Sequence, residues 1–144
     1  MVLDLFAGSG GVGLEALSRG AAGATLVERD RQALAVLRRN VAALGVSGSC
    51  EVVPGDALHW RPAAPCRYDV VFADPPYDTS ASAVAGQLAR LAAAGALSLD
   101  CIAVVERPSR DSAPPWPSDW AASDQRKYGE TTLWYGGPQH GEDS

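Results

Sequence analysis

The sequence of 144 residues has few cysteines, no excess of basic residues and no long apolar run. No unbroken apolar stretch reaches the length of a membrane span, which argues against an integral membrane protein. The three cysteines (Cys50, Cys66 and Cys101) are far apart and lack the CxxC spacing, so we expect neither a disulfide framework nor a zinc site. No basic run precedes the first apolar residues, as a signal peptide would require. Together these absences predict a protein of a reducing compartment, the cytoplasm.

The charge balance is acidic, with a formal net charge of −5. Proteins that hold nucleic acid by bulk electrostatic attraction are usually basic, so this balance argues against broad phosphate binding without excluding a local patch. One early region is crowded with arginines, which are Arg19, Arg29, Arg31, Arg38 and Arg39. We interpret this group as the solvated face of a helix. The apolar content of 47% indicates a folded chain, and the length fits one domain.

Apolar runs alternate with segments of helical periodicity, which predicts an α/β fold with four strand–helix-like units. A closing hairpin is predicted where residues 123–128 and 131–135 flank Gly129 and Glu130. The expected architecture is a three-layer sandwich, with helices on both faces of a mostly parallel sheet and an antiparallel hairpin at the carboxyl-terminal end. We assign residues 1–136 to this domain and expect the polar residues 137–144 to form a disordered tail. The predicted strands are residues 2–6, 24–28, 50–53, 68–73 and 102–106, and the predicted helices are residues 11–19, a segment from Asp30 to Gly45, and one that ends at Gly95.

A glycine-rich loop follows the first predicted strand and has the spacing GxGxxG, at residues 8–13. Glycine is needed there because the backbone turns sharply and a ligand approaches where a Cβ would clash. Glu28 ends the second predicted strand, twenty positions after Gly8, where a carboxylate can accept hydrogen bonds from both hydroxyls of a ribose. Asp4 could accept from N–H groups of the loop, and Asp56 from an adenine amino group. The motif predicts an adenosine site but leaves open NAD, S-adenosylmethionine and a bare strand–helix turn.

The tetrapeptide Asp74-Pro75-Pro76-Tyr77 ends the fourth predicted strand, at the sheet edge where open α/β folds bind ligands. Its two prolines fix the backbone and remove N–H donors, which leaves carbonyl acceptors. The Asp74 carboxylate and the Pro75 carbonyl can accept both hydrogens of an exocyclic amine and so direct its lone pair at an electrophile. Tyr77 offers a flat face for a base. The methyl group of S-adenosylmethionine is the electrophile that fits, with no metal required, so these residues predict an amine methyltransferase.

Other functions use the same residue types, and the motifs alone do not separate them all. A DNA adenine-N6 methyltransferase or a protein glutamine methyltransferase could use a similar tetrapeptide. An NAD-dependent oxidoreductase would use the same glycine-rich loop, although no candidate acid or base accompanies it here. A module that binds the cofactor without transferring a methyl group is also compatible with the sequence.

Seven short segments together extend the motifs over nearly the whole chain, from Val2 to about Tyr135. They are LDLFAGSG (3–10), GLEALSRG (13–20), VE (27–28), NV (40–41), FADPPY (72–77), VER (105–107) and YGET (128–131). In combination they resemble the RsmD family of bacterial 16S rRNA (guanine-N2)-methyltransferases. The resemblance implies a class I methyltransferase fold with S-adenosylmethionine as the cofactor and S-adenosylhomocysteine as the product. It also implies a flipped guanine as the target, position 966 of 16S rRNA, in the small ribosomal subunit or its assembly intermediate, and a monomeric enzyme.

The resemblance also implies roles for individual residues. The implied catalytic residues are Asp74, Pro75, Pro76 and Tyr77, and the implied cofactor-binding residues are Asp4, Phe6, Ala7, Gly8, Ser9, Gly10, Gly13, Glu28, Arg29, Asp56, Ala57 and Asp74. Family members normally carry a basic, RNA-engaging segment before the first strand, which here begins at Val2. We therefore expect this sequence to lack that segment.

Overall fold

The computed structural model describes residues 1–63 and 65–139, in which seven strands and three helices are present. None of the helices in this part of the chain has the length and apolar content needed to cross a membrane. The strands are β1 (Val2–Asp4), β2 (Ala24–Glu28), β3 (Cys50–Pro54), β4 (Tyr68–Ala73), β5 (Leu97–Pro108), β6 (Trp120–Tyr128) and β7 (Thr131–Pro138), and the helices are α1 (Gly11–Ser18), α2 (Arg31–Leu44) and α3 (Ala81–Ala93).

The strands form one sheet in the order β3-β2-β1-β4-β5-β7-β6. Strands β1 to β5 pair in parallel, and β7 is antiparallel to both β5 and β6. The chain moves outward from β1 to β3 and then returns to the other side of β1 at β4. The carboxyl ends of β1 and β4 therefore flank the point where the strand order reverses, which is where open α/β sheets form ligand sites.

Helices cover both faces of the sheet. Val2 packs in the apolar cluster that contains Leu14 of α1 and Leu37 of α2. Its neighbour Leu3 packs in the cluster that contains Leu88 of α3. Because successive strand residues point to opposite faces, the two clusters lie on opposite sides of the sheet. The predicted three-layer architecture, with a mostly parallel sheet and an antiparallel carboxyl-terminal hairpin, is confirmed.

Helices α2 and α3 begin at side-chain caps, whereas α1 begins at a glycine. The Asp30 carboxylate accepts a hydrogen bond from the Ala33 N–H at 2.9 Å. Ser80 Oγ accepts one from the Ala83 N–H at 3.1 Å. Gly10 precedes α1 with a φ of 92° and has no side chain to offer. The first N–H groups of α1 therefore lack a side-chain cap, beside the glycine-rich loop that connects β1 to α1.

The carboxyl-terminal hairpin is longer than predicted, so the assignment of residues 137 and 138 to a disordered tail is wrong. Strand β7 continues to Pro138, and the Gln139 N–H donates to the Asp119 carbonyl at 2.8 Å. A Cβ at Gly136 would lie 2.7 Å from the Trp116 ring. A Cβ at the next residue, also glycine, would overlap the carbonyl of Cys101. These glycines permit close packing, and residues 140–144 of the predicted tail lie outside the described residues.

Strand β1 ends at Asp4 rather than at residue 6, and two longer segments also differ from the prediction. Residues 55–63 and 65–67, between β3 and β4, contain no helix. The part of the chain that the structure describes therefore has three of the four expected strand–helix units. Pro62 and Pro65 lack the N–H that a helix interior needs. Strand β5 begins at Leu97 rather than at residue 102, because Leu97 already pairs with Tyr68 of β4.

Candidate active site

A cavity of about 450 Å³, here called the first cavity, opens at the carboxyl ends of β1, β2 and β4. Its walls are formed by the ends of these strands, by the loop after β3 and by the segment that follows β4. Nine residues predicted from the sequence line it, which are Phe6, Gly8, Glu28, Arg29, Asp56, Ala57, Asp74, Pro75 and Pro76. Five lining residues were not predicted, which are Leu5, Val27, Gly55, Leu58 and Thr79. These five residues carry no charge, so the sequence alone does not indicate a ligand-binding role for them.

Glu28 is fixed at the end of β2 by backbone N–H groups. Its Oε1 accepts a hydrogen bond from the Gly8 N–H at 2.8 Å. Its Oε2 accepts from the N–H groups of Arg29 and Asp30, at 3.0 and 2.8 Å. A carboxylate offers about four lone-pair positions, so acceptor capacity remains for a ligand. The glycine-rich loop and the predicted ribose acceptor are therefore joined directly.

Asp4 is a buried carboxyl behind the same loop, with only 1% of its surface exposed. Among the described residues its Oδ1 has no hydrogen-bond partner. Burial raises the pKa of Asp4 to about 7, and the negative charges of Asp74 and Glu28 add to the rise. Hydrogen bonds from the backbone of Phe6 and Gly13 offset part of it. A buried carboxyl with an unpartnered oxygen suits a cationic or hydrogen-bond-donating ligand group.

The three glycines of the GxGxxG pattern have different surroundings. Gly8 has a φ of 57°, and no atom lies within 4 Å of the position where its Cβ would stand. A Cβ at Gly10 would overlap the Leu37 side chain, and one at Gly13 would overlap Leu26. Gly8 therefore leaves open space beside the first cavity, whereas Gly10 and Gly13 let α1 pack tightly against α2 and β2.

Two further predicted residues of the loop do not line the first cavity. Ala7 is buried in the cluster under α1 and α2, and its N–H donates to the Val27 carbonyl at 3.0 Å. The Ser9 carbonyl accepts a hydrogen bond from Asn40 Nδ2 of α2 at 2.9 Å. Both residues fix the path of the loop from behind.

Asp56 stands on the other side of the first cavity, after β3. Its Oδ1 accepts from the Leu58 N–H at 3.0 Å, and its Oδ2 contacts His59 Nδ1 at 2.6 Å. The hydrogen bond with His59, followed by that with Leu58, lowers the pKa of Asp56. The carboxylate is thus ionised and acceptor-only at neutral pH, as a partner for an amino group must be.

The tetrapeptide after β4 separates the first cavity from a second cavity of about 420 Å³. Asp74 and Pro75 line both cavities. Tyr77 lines only the second and is 83% exposed. The Pro76 carbonyl accepts from the Thr79 N–H at 2.9 Å, whereas the Pro75 carbonyl accepts no hydrogen bond within the described part of the chain. Two acceptors, the Asp74 carboxylate and the Pro75 carbonyl, therefore stand at the junction.

Glu106 is a second carboxyl group at this junction, and it was not among the predicted site residues. Ala73 of β4 pairs with Val105 of β5, so the next residue on each strand, Asp74 and Glu106, are neighbours. Both residues line the second cavity. Partial burial and the proximity of Asp74 raise the pKa of Glu106 to about 7. The sequence signal that could have indicated Glu106 is its place as an acid at the end of the predicted strand at residues 102–106.

A buried arginine joins the segment after the tetrapeptide to the loop after β5. Arg107 is 7% exposed, and its Nη1 donates to the Thr79 carbonyl at 2.7 Å. Its Nε and Nη2 donate to Asp111 Oδ2 at 3.0 and 2.8 Å. Each of the three guanidinium nitrogens thus donates a hydrogen bond, and together these bonds fix two loops at the edges of the cavities.

Comparison with known proteins identifies the family of the chain. A family model described as "Conserved hypothetical protein 95" matches residues 1–137. The ribosomal RNA small subunit methyltransferase D of Escherichia coli is 36% identical over 128 residues, which are 89% of this chain and 63% of that protein. The chain belongs to the RsmD family. The chain spans a little under two thirds of the length of this relative.

Solved structures agree with the RsmD family fold. A conserved hypothetical protein of Streptococcus pyogenes superposes with a TM-score of 0.86 and 30% identity, over 96% of this chain and 85% of that one. A ribosomal protein L11 methylase of Lactobacillus delbrueckii superposes with a TM-score of 0.74 over 96% of this chain and 70% of that one. Its 13% identity makes it a likeness of fold alone. The fold is that of class I methyltransferases.

Proposed function

We propose that this chain transfers a methyl group from S-adenosylmethionine to the N2 amine of a guanine in 16S rRNA. By the family resemblance the target is position 966, in the small ribosomal subunit or its assembly intermediate, and the enzyme acts as a monomer. The observation that carries the proposal is the junction of two cavities at Asp74 and Pro75. The printed name of the Escherichia coli relative supports ribosomal RNA as the substrate class.

The residues of the first cavity suit S-adenosylmethionine by their chemistry. Glu28, already oriented by three N–H groups, would accept from the ribose hydroxyls. Asp56 would accept from the adenine amino group. Asp4 does not line the cavity but is buried behind the glycine-rich loop, where its unpartnered oxygen suits the cationic amino group of the methionine moiety. The other proposed contacts are Phe6, Gly8, Arg29 and Ala57 in the cavity wall, with Ala7, Ser9, Gly10 and Gly13 shaping the loop behind it.

The tetrapeptide would position the amine for reaction. When bound, S-adenosylmethionine supplies a methyl group whose bond to sulfur breaks as the bond to nitrogen forms, with a neutral thioether leaving. The Asp74 carboxylate accepts one N2–H and the Pro75 carbonyl accepts the other, which draws the lone pair out of the ring and towards the first cavity. Asp74 then takes the proton that the four-bonded nitrogen loses. Tyr77, exposed beside the junction, stacks on the flipped base.

The cofactor part of the proposal is tested by calorimetric titration with S-adenosylhomocysteine, with NADH as the control ligand. We expect binding of S-adenosylhomocysteine alone, because the acidic groups of the first cavity match an adenosine that carries a cationic amino group. Binding of NADH alone, or of neither compound, would contradict the assignment.

The substrate part is tested by transfer of a labelled methyl group to unmodified small ribosomal subunits, to protein-free 16S rRNA, to DNA and to a glutamine-containing peptide. We expect transfer to one or both of the RNA substrates, at the N2 atom of a guanine. Preferential labelling of DNA or of the peptide would favour the other amine methyltransferases, and binding without transfer would indicate a cofactor-binding module.

A further inference from the structure

The second cavity contains a carboxyl group that the proposed reaction does not use. Glu106 lies at the end of β5, next to Asp74, and its side chain is partly buried in the cavity wall. Tyr77 and Pro75 line the same cavity, so a base that stacks on Tyr77 and offers its amine to Asp74 would also meet Glu106. A charged group so close to the amine needs a matching group on the base.

The Asp74 and Glu106 carboxyl groups follow paired residues of β4 and β5 and line the same cavity. Burial and the neighbouring Asp74 raise the pKa of Glu106, so this carboxyl holds a proton more readily than an isolated glutamate does. Arg107, the basic residue next to Glu106 in the chain, is engaged by Thr79 and Asp111. The other charged groups that line the cavity, Arg110 and Glu130, belong to the loop after β5 and the turn before β7. The pair is therefore an arrangement of two adjacent acceptors once its proton has gone.

Guanine has two adjacent donors on the edge that carries its N2 amine, N1–H and N2–H. Adenine and cytosine have a ring nitrogen that accepts a hydrogen bond at the corresponding place, and a carboxylate opposite such a nitrogen is repelled. Two neighbouring carboxylates offer two acceptors side by side, as a pair of adjacent donors on one base edge requires. Reading a flipped base on this edge is a common means of base selection.

We propose that Glu106 accepts a hydrogen bond from N1–H of the target base and thereby selects guanine. This inference rests on the proposed guanine-N2 transfer and names the residue that determines its base specificity. As the base enters, a proton held by Glu106 leaves to solvent, and the Asp74 and Glu106 carboxylates accept N2–H and N1–H.

The test compares guanine with 2-aminopurine at the target position of an otherwise identical RNA. 2-Aminopurine keeps the exocyclic amine but has an accepting N1, so it lacks the donor that Glu106 would read. The ratio of kcat/KM for the two substrates is measured for the wild type, for Glu106→Gln and for Glu51→Gln. Glu51 is an exposed acid of β3 that lines neither cavity, and it serves as the matched control.

We expect the wild type and Glu51→Gln to prefer guanine by roughly 100-fold or more, because a site built for a donor rejects an analogue that lacks it. In Glu106→Gln the amide can donate to N1 of 2-aminopurine, so the preference should fall by about tenfold or more. S-adenosylhomocysteine affinity should stay within about twofold, since Glu106 does not line the first cavity. Glu106→Asp, which keeps the charge, should restore part of the preference.

An unchanged preference in Glu106→Gln, with transfer to guanine intact, would overturn the role of Glu106 and leave the proposed function standing. Equal use of both bases by the wild type would do the same. Absence of transfer to any guanine-containing RNA or small subunit by the wild type would overturn the proposed function, and this inference with it. If Glu106→Gln binds no S-adenosylhomocysteine, its carboxyl supports the fold of the site, and the inference fails.

Discussion

The two cavities that meet at Asp74 and Pro75 hold their acidic groups in different ways. In the first cavity, Glu28 accepts from three backbone N–H groups, so its charge is stabilised by the chain on which it lies. In the second cavity, Asp74 and Glu106 are adjacent, and burial together with Asp74 raises the pKa of Glu106 to about 7. The first cavity is therefore ready for a ligand with neutral or cationic donors, whereas Glu106 in the second must be deprotonated before it can accept from a base.

This difference teaches how one strand end can serve two ligands. Backbone donors hold a charged acceptor in a fixed position, which suits a cofactor that binds in the same way in every reaction cycle. A carboxyl group that gives up its proton when the correct base binds suits recognition of a substrate. Four changes would break or sharpen the contrast.

The largest effect is expected for Asp74→Ala, because Asp74 is the acceptor that we propose to hold the amine and take its proton. We expect kcat/KM for methyl transfer to fall by roughly 100- to 1000-fold. The affinity for S-adenosylhomocysteine should change less than about threefold, since the groups that bind the adenosine remain. Radiolabelled transfer and calorimetry measure the two quantities. Turnover equal to that of the wild type would show that Asp74 takes no part in methyl transfer. The contrast between a cofactor cavity and a substrate cavity would then fail.

Asp4→Asn tests the buried carboxyl whose pKa is raised by burial and, to a lesser extent, by the charges of Asp74 and Glu28. The folded protein raises the pKa of Asp4 from 3.8 to about 7, so it binds this proton more tightly than the unfolded chain does. The stability gained from protonation is full below the unfolded value, falls as the pH rises, and is lost above about 7. Asn carries no charge to bury, so at pH 8 the variant should exceed the wild type in free energy of unfolding by about 2–4 kcal/mol.

Urea denaturation of both proteins at pH 5 and pH 8 measures this difference. The advantage of Asp4→Asn should be clearly smaller at pH 5, where the wild-type carboxyl is protonated in the folded state. Because burial is the main cause of the raised pKa and Asp74 a lesser one, Asp74→Asn should reproduce only a small part of the gain. The same advantage at both pH values would contradict the buried, titrating Asp4.

A smaller effect is expected for Glu28→Ala, which removes the fixed acceptor of the first cavity. Loss of the proposed ribose hydrogen bonds should weaken S-adenosylhomocysteine binding by roughly 10- to 100-fold. Glu15→Ala is a matched control, because Glu15 is an exposed acid of α1 paired with Arg19. Calorimetry measures the S-adenosylhomocysteine affinity of the two variants. Similar affinities would show that Glu28 fixes the glycine-rich loop without binding the ligand.

The smallest effect is expected for His59→Gln. His59 lowers the pKa of Asp56 through a hydrogen bond, but the Leu58 N–H remains as a donor after the change. Asp56 should therefore still be ionised at pH 7.5, and S-adenosylhomocysteine affinity should change by less than about threefold. A much larger loss at that pH would mean that the imidazole itself contacts the ligand.

The first cavity was largely predictable because its parts are local. Glu28 ends β2, and Gly8 and Asp56 lie in the loops that follow β1 and β3. Parallel strands bring these carboxyl ends to one edge of the sheet. Glu106 could not be assigned a role in this way. Its position beside Asp74 depends on β5 lying next to β4 and on the register that pairs Val105 with Ala73, and no local pattern encodes either.

The carboxyl-terminal strand shows why composition misled at one place. Gly136 and the glycine that follows it resemble a polar, flexible tail by residue type, yet Trp116 and the Cys101 carbonyl occupy the space where side chains would stand. Glycine is used both where a chain is disordered and where another group passes very close. Only the partner across the sheet distinguishes the two cases, and that partner lies tens of residues away in the sequence.

Arg107 has a mechanical consequence for the two cavities. Thr79, whose carbonyl it binds, lines the first cavity, while Arg107 itself lines the second. Its Nε and Nη2 bind Asp111, so the guanidinium links the segment after the tetrapeptide to the loop after β5. Because one side chain holds both loops, we expect a substitution that displaces the Thr79 carbonyl also to loosen the loop that carries Asp111.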